Sequence, residues 1–476
     1  MTSRTQFISL LSFFLILICT AQISEQPNFI IFLTDDQGYN DVGVFGSPNI
    51  KTPHLDQMAK EGMRFTNFYA QPLCGPSRAA LLTGSYPIRI AEPKNTKEIH
   101  TQLHPKEVTI AEILKTKGYK TACIGKWHVG DAPNQMPLQQ GFDYFLGTPK
   151  FNGSTKYIEQ NKFRCSVLKN NDTIKVINTV EEMGQLTKMY TNEAVDFIKQ
   201  NKNEPFFLYL SHNMPHVPLG VSDKFKETSK GGFYGDVIEE LDWSMGQVLK
   251  TLKELNLEEN TFVIFTSDNG PWNEAKIGEH GGSAFPLRGN KTQTWEGGVR
   301  VPAIMQWKGK IPESIVSEEL LTTMDFLPTF SALAKAKIPE NTIIDGKDFQ
   351  DVIFNNDKSS HDRFYYYFYT HLQAVRDKEW KLVLPRIGKP AYLKWAARKV
   401  EPVDELLLFN LKNDKEETTN LASQHPEKVQ ELLLLIEEGR EELGDQDRIG
   451  SNVRFYDTDS ETKRIAVYNN WKNEKK

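Results

Sequence analysis

The chain has 476 residues, with 57 Lys and Arg against 62 Asp and Glu, for a formal charge of −5. That balance excludes a basic nucleic-acid footprint spread over the molecule. Hydrophobic residues make up 39%, charged residues 25% and aromatics 11%, and the mean hydropathy is −0.49, which excludes a disordered chain and a membrane-spanning bundle alike.

From the N-terminus, Arg4 precedes an apolar run from Phe7 to Cys19 and small residues ending at Ala21. This predicts a signal peptide over residues 1–21 and hence a periplasmic or secreted protein. The run is shorter than the roughly 20 residues a bilayer span needs. Past Cys19, the cysteines are Cys74, Cys123 and Cys165. An odd count implies no disulfide framework, although a Cys123–Cys165 bridge stays open.

Residues 28–33 read as a strand, 109–117 as a helix with Thr109 and Glu112 spaced as a capping box and Gly118 at its stop, and 119–124 as the next strand. Helical stretches at 189–198 and 237–255 precede strands at 206–210 and 261–265. Strand-length apolar runs alternating with helices predict an α/β fold, a large mixed and mostly parallel sheet flanked by helices, over residues 22–360. From 361 the texture changes to strands at 364–369, 380–384 and 406–411 and a helix at 427–442, a smaller C-terminal α+β domain over 361–476. The polar stretch 451–476 is expected to wrap back onto the larger domain.

Four of the strands end in chemistry. Asp35 and Asp36 follow the first, Lys126 and His128 the second, His212 and His216 the third, and Asp268 and Asn269 the fourth. The carboxyl ends of parallel strands converge on one crevice, so these groups are expected to line one site. Asp35, Asp36, Asp268 and Asn269 offer only hard oxygen ligands, which suit Ca²⁺, with Mg²⁺ behind it, better than Zn²⁺.

One further segment, Leu73-Cys74-Gly75-Pro76-Ser77-Arg78 running on to Leu82-Thr83-Gly84, is helix-competent, with Pro76 near its start. Taken alone, a Cys beside a guanidinium is either a thiolate nucleophile or a packed loop residue. The whole stretch, however, resembles the signature of the type I, formylglycine-dependent sulfatases, arylsulfatase-like members of the alkaline-phosphatase-like superfamily. The resemblance covers nearly all of the mature chain. It extends to Asp35-Asp36-Gln37-Gly38, Gly125-Lys126-Trp127-His128, His212 through His216-Val217-Pro218, Ser267-Asp268-Asn269-Gly270, and Lys291 ahead of Trp295-Glu296-Gly297-Gly298. A late strand and turn match more loosely, as Leu408-Phe409-Asn410-Leu411 and Asp414-Lys415-Glu416-Glu417.

The resemblance implies that a maturation enzyme converts Cys74 to formylglycine, whose hydrate attacks sulfur and whose oxygen joins Asp35, Asp36, Asp268 and Asn269 around the metal. Arg78, Lys126 and Lys291 then neutralise the sulfuryl group, His216 protonates the departing alcohol, and His128 serves the release of sulfate. His212 is expected to be a supporting residue. His104, Trp272, Glu274, His280 and Arg288 lie near these segments in sequence and are weaker candidates for contacting sugar hydroxyls. The expected substrate is a sulfated poly- or oligosaccharide of algal type. The competing readings are a phosphomonoester or phosphodiester hydrolase on the same scaffold, whose Ser or Thr nucleophile and His-rich two-zinc site do not appear here, and a glycan-binding pseudoenzyme, which would have lost a catalytic position.

Overall fold

The structure, a computed structural model, describes residues 26–92, 102–152, 165–273, 281–390, 400–454 and 458–474. The expected signal peptide lies outside the described residues. The main sheet contains β1 (Asn28–Thr34), β2 (Met63–Phe65), β3 (Lys120–Lys126), β4 (Tyr144–Thr148), β5 (Cys165–Lys169), β6 (Asp172–Ile177), β7 (Phe206–Ser211), β8 (Thr261–Ser267), β9 (Ala303–Gln306) and β10 (Ile315–Ser317). Their order across the sheet is β10-β2-β9-β8-β1-β7-β3-β4-β5-β6. The consecutive block β8-β1-β7-β3-β4 is parallel. Antiparallel neighbours flank it on both sides.

The parallel strands read as continuous apolar runs because both of their faces are covered. Phe29, Ile31 and Leu33 point into a core shared with helices Cys74–Thr83, Ile110–Lys115 and Phe326–Leu333, while Ile30 and Phe32 point into another under helices Pro53–Lys60, Leu186–Gln200 and Gly232–Glu254. The capping box forms as expected, with Glu112 N–H on Thr109 Oγ1 and Thr109 N–H on Glu112 Oε2. The helix itself stops at Lys115, two residues earlier than expected.

A four-stranded antiparallel sheet follows, with β11 (Arg363–Phe368), β12 (His371–Asp377), β13 (Trp380–Val383) and β14 (Leu407–Asn410) in sequential order. Helix Pro426–Glu442 covers it through Val429, Leu432 and Ile436. The stretch after 451 does return to the main body, where the Arg454 guanidinium pairs with Glu107 at 3.0 Å, and it continues as helix Thr458–Glu474.

Candidate active site

The four strands that end in charged or imidazole groups, β8, β1, β7 and β3, lie side by side and parallel, so the residues after them meet at one edge. Their close approach depends on Gly125 near the end of β3, where a Cβ would fall 1.8 Å from the Ser211 carbonyl oxygen. Asp35 and Asp36 turn out of β1, and the N–H of Asp36 donates to Asp268 Oδ1 at 3.2 Å. The Asn269 amide donates to Asp36 Oδ1 at 2.8 Å. Cys74 opens helix Cys74–Thr83, and one oxygen or sulfur atom each of Asp35, Cys74 and Asp268 lies within 4.8 Å of the others. Asp36 (φ 69°), His128 (φ 61°) and Thr292 (φ 76°) all adopt left-handed backbone, a cost that recurs where a site over-determines its geometry.

Three cations face three carboxylates here, all buried. Lys126 Nζ pairs with Asp35, and Lys291 Nζ lies 2.6 Å from Asp36 Oδ1. Arg78 donates through Nε and Nη2 to Asp268 Oδ2 at 2.9 and 2.8 Å, and through Nη1 to the Lys126 carbonyl at 2.9 Å and to Ser211 Oγ. Arg78 therefore holds Asp268 and the end of β3 in place, with its donors committed to protein acceptors. Burial works against ionisation of Asp35, but Lys126, His216, Arg78 and Lys291 together hold its carboxyl well below the usual range. Burial, followed by the neighbouring Asp35 charge, pushes Asp268 up to about 7 against the pull of Arg78. Burial also raises the Cys74 thiol, even with Lys126 and Lys291 nearby. A neutral thiol is a poor nucleophile.

His216 sits 3.8 Å through Nε2 from Asp36 Oδ2, and its Nδ1 meets the Val217 carbonyl. That contact leaves Nε2 as the nitrogen able to exchange a proton inside the site. Burial, then Lys291, draws its pKa down to about 4. Trp272 packs edge-on to His216 at 5.6 Å, and Lys291 Nζ lies 4.5 Å from the same indole.

The donor set fits a hard cation. Asp35 Oδ1 and Asn269 Oδ1 are buried oxygens without a hydrogen-bond donor. They adjoin Asp36 and Asp268 in a buried site where the cations keep Asp35 ionised against burial. Oxygen ligands of this kind suit an alkaline-earth ion rather than zinc.

The sulfatase family pattern matches residues 27–336, and the pattern for the N-sulphoglucosamine sulphohydrolase C-terminal region matches residues 285–442. The chain belongs to the sulfatase family. It is a sulfuric ester hydrolase built on the alkaline-phosphatase-like fold. It is similar to N-acetylgalactosamine-6-sulfatase of Canis lupus familiaris, 39% identical over 364 residues that cover 72% of this chain and 69% of that one. Among solved structures it resembles PsFucS1 sulfatase from Pseudoalteromonas sp. at 30% identity and a TM-score of 0.78, with 88% of this chain and 90% of that one covered. It also resembles Ps i-CgsB in complex with k-i-k-neocarrahexaose, at 28% identity and a TM-score of 0.76, with 93% and 98% covered.

The remaining candidates divide in this sulfatase. His212 is buried, bonded to Ser244 Oγ at 3.2 Å and tilted against Phe32 with ring centroids 4.7 Å apart, a supporting position. Arg288 stacks on Trp295 at 3.6 Å and donates to the Glu417 carbonyl, so it belongs to the seam with the small sheet. His104 accepts the Lys106 N–H in a turn ahead of helix Ile110–Lys115. Glu274 and His280 lie outside the described residues. Cys74, Cys123 and Cys165 are all free thiols. Cys123 and Cys165 fall in the cores on opposite faces of the main sheet, which precludes the bridge left open above. Sequence reasoning missed Phe151, whose ring lies 5.5 Å from His128 and 6.1 Å from His216. Its signal was available: it follows β4, a further parallel strand ending at the same edge.

Proposed function

We propose that this sulfatase is exported and removes sulfate esters from a sulfated poly- or oligosaccharide, using formylglycine made from Cys74 and a bound Ca²⁺. The observation that carries the reading is the convergence, at a helix N-terminus, of Cys74 with four oxygen-donor side chains and three buried cations. The protonated thiol favours a matured residue over a thiolate nucleophile. Export rests on the reading of the apolar run Phe7 to Cys19, with small residues ending at Ala21, as a signal peptide. The carbohydrate class follows from relatives named for N-acetylgalactosamine-6-sulfatase and from the carrageenan-type oligosaccharide held by Ps i-CgsB.

Asp35, Asp36, Asp268, Asn269 and the residue at position 74 would hold the ion. Bound there, it would supply Lewis-acid polarisation of a sulfuryl oxygen and charge for the nucleophile. The hydrated aldehyde at position 74 offers one hydroxyl to attack sulfur and a second to expel sulfate afterwards. Lys126 and Lys291 neutralise the sulfuryl oxygens, with Arg78 acting at one remove by fixing Asp268. His216 Nε2, protonated once the anionic ester is bound beside it, delivers that proton to the departing sugar oxygen, and His128 withdraws one from the second hydroxyl. A screen of sulfated mono- and oligosaccharides with free sulfate as the readout tests the assignment. Turnover is expected on sulfated sugars and not on the matching phosphate esters, and phosphate release without sulfate release would reverse the reading.

A further inference from the structure

Lys381 sits on β13 of the small sheet, fully buried, and reaches into the main body. Its Nζ lies 3.1 Å from Glu296 Oε1, 2.8 Å from Glu417 Oε1 and 2.8 Å from the Thr294 carbonyl. Glu417 closes the unit from the Asp414–Glu417 turn, its Oε2 accepting the Glu296 N–H at 2.8 Å. Tyr366 of β11 and Tyr69 donate their hydroxyls to the two oxygens of Glu296. No catalytic step uses any of these groups.

What the unit grips is the segment that carries Lys291. On its inner side that segment is tied to the reaction centre: the Lys291 N–H donates to the Pro271 carbonyl at 2.9 Å and the Thr292 N–H to the Pro72 carbonyl, two residues before Cys74, at 2.7 Å. On its outer side Thr294 and Glu296 hang from Lys381 and Glu417. Thr294 comes three positions after Lys291, a reach of at most about 10 Å. Buried ion pairs add little stability over apolar packing of the same volume, and their best-attested use is to fix registry.

We propose that the buried Lys381–Glu296–Glu417 unit is a positioning device for Lys291, through which the small sheet sets how firmly the site holds the sulfuryl group. The proposal rests on the reading of Lys291 as a sulfate-binding cation. Displacement of a substrate-positioning group by about 1 Å is enough to cost on the order of 10²-fold in rate.

The test is a double-mutant cycle on the matured, metal-loaded enzyme with nitrophenyl sulfate. Lys381→Met/Glu417→Gln removes one charge of each sign, keeps the lysine stem, and keeps an acceptor for the Glu296 N–H. In the wild-type background kcat/KM is expected to fall on the order of 10²-fold, with inhibition by inorganic sulfate weakened in parallel. In a Lys291→Ala background the same pair of changes is expected to cost no more than about twofold. Activity within about twofold of wild type in the folded double variant overturns the proposal, and so does an equal loss in both backgrounds. Lys291→Ala alone reports separately on the reading beneath it: unchanged sulfate inhibition there would remove Lys291 from the sulfuryl site. If the double variant does not fold, Glu417→Gln alone, which retains the Lys381–Glu296 pair, is run through the same cycle with the same criteria.

Discussion

At the scale of single residues, Asp268 has two tasks, since it offers one oxygen toward the cation site and holds the Arg78 guanidinium with the other. Asp268→Ala would strand a buried arginine, a change that costs about 3–5 kcal/mol, so Asp268→Asn and Asp35→Asn are the cleaner variants. Both are expected to fold, to lose the proposed bound metal ion in metal analysis and to lose turnover; full activity in a chelated, metal-free preparation contradicts the assignment. The two histidines separate by leaving group. A sugar alkoxide needs a proton as the S–O bond breaks, whereas nitrophenolate departs largely unaided. His216→Ala is therefore expected to lose on the order of 10²–10⁴ in turnover on a sulfated sugar and much less on nitrophenyl sulfate. His128→Ala should slow sulfate release from both. Single-turnover kinetics on both esters is the measurement, and equal losses for His216→Ala on the two esters would make it a sulfate-positioning residue. These residues were legible because each follows a strand-length apolar run, Asp35 and Asp268 directly and His128 and His216 within a few residues. The role of Arg78 was not, because its partners Asp268 and Ser211 lie 190 and 133 positions away.

Among the elements, the strands buried on both faces announced themselves: 28–33, 206–210 and 261–265 differ from the observed β1, β7 and β8 only by one or two residues at their C-terminal ends. The hairpin of β5 and β6 was not legible, because β6 is exposed along most of its length and its alternating Ile174 and Val176 face solvent rather than a core. β12 was missed for a related reason: it mixes His371, Gln373 and Arg376 with apolar residues, and those polar groups are buried against partners from elsewhere in the chain. A pH-dependent joint lies where the segment before β11 meets the turn at Thr322–Asp325. There His361 Nε2 donates to Asp325 Oδ1 at 2.7 Å. Burial opposes the charged imidazole, but the Asp325 carboxylate outweighs it and leaves the pKa raised above 6.5. With the folded value above the unfolded one, the stabilisation is complete below pH 6.5 and is lost as pH rises through the folded pKa. Thermal unfolding between pH 6 and 9 is expected to show a decline that His361→Gln reduces; an identical decline in the variant would exclude this pair as its source.

Over the whole molecule, two sheets divide the labour. The parallel block of the large sheet brings Asp35, Lys126, His216 and Asp268 to one edge, and the small antiparallel sheet braces the Lys291 segment from outside through Lys381 and Glu417. The first arrangement could be read from the chain because parallel topology alone sends strand ends to a common edge. The second could not, because Lys381 and Glu417 look like ordinary surface charges until the fold buries them against Glu296. Among the described residues no helix is long and apolar enough to cross a membrane. The proposed chemistry turns on the state of residue 74, so the most direct measurement is the fraction of aldehyde at that position, by peptide mass spectrometry, in preparations made with and without a formylglycine-generating maturation enzyme and assayed in parallel for sulfate release. Turnover is expected to rise in proportion to the aldehyde fraction and to vanish in Cys74→Ala. Full turnover from protein whose Cys74 is entirely a free thiol would contradict the proposed chemistry.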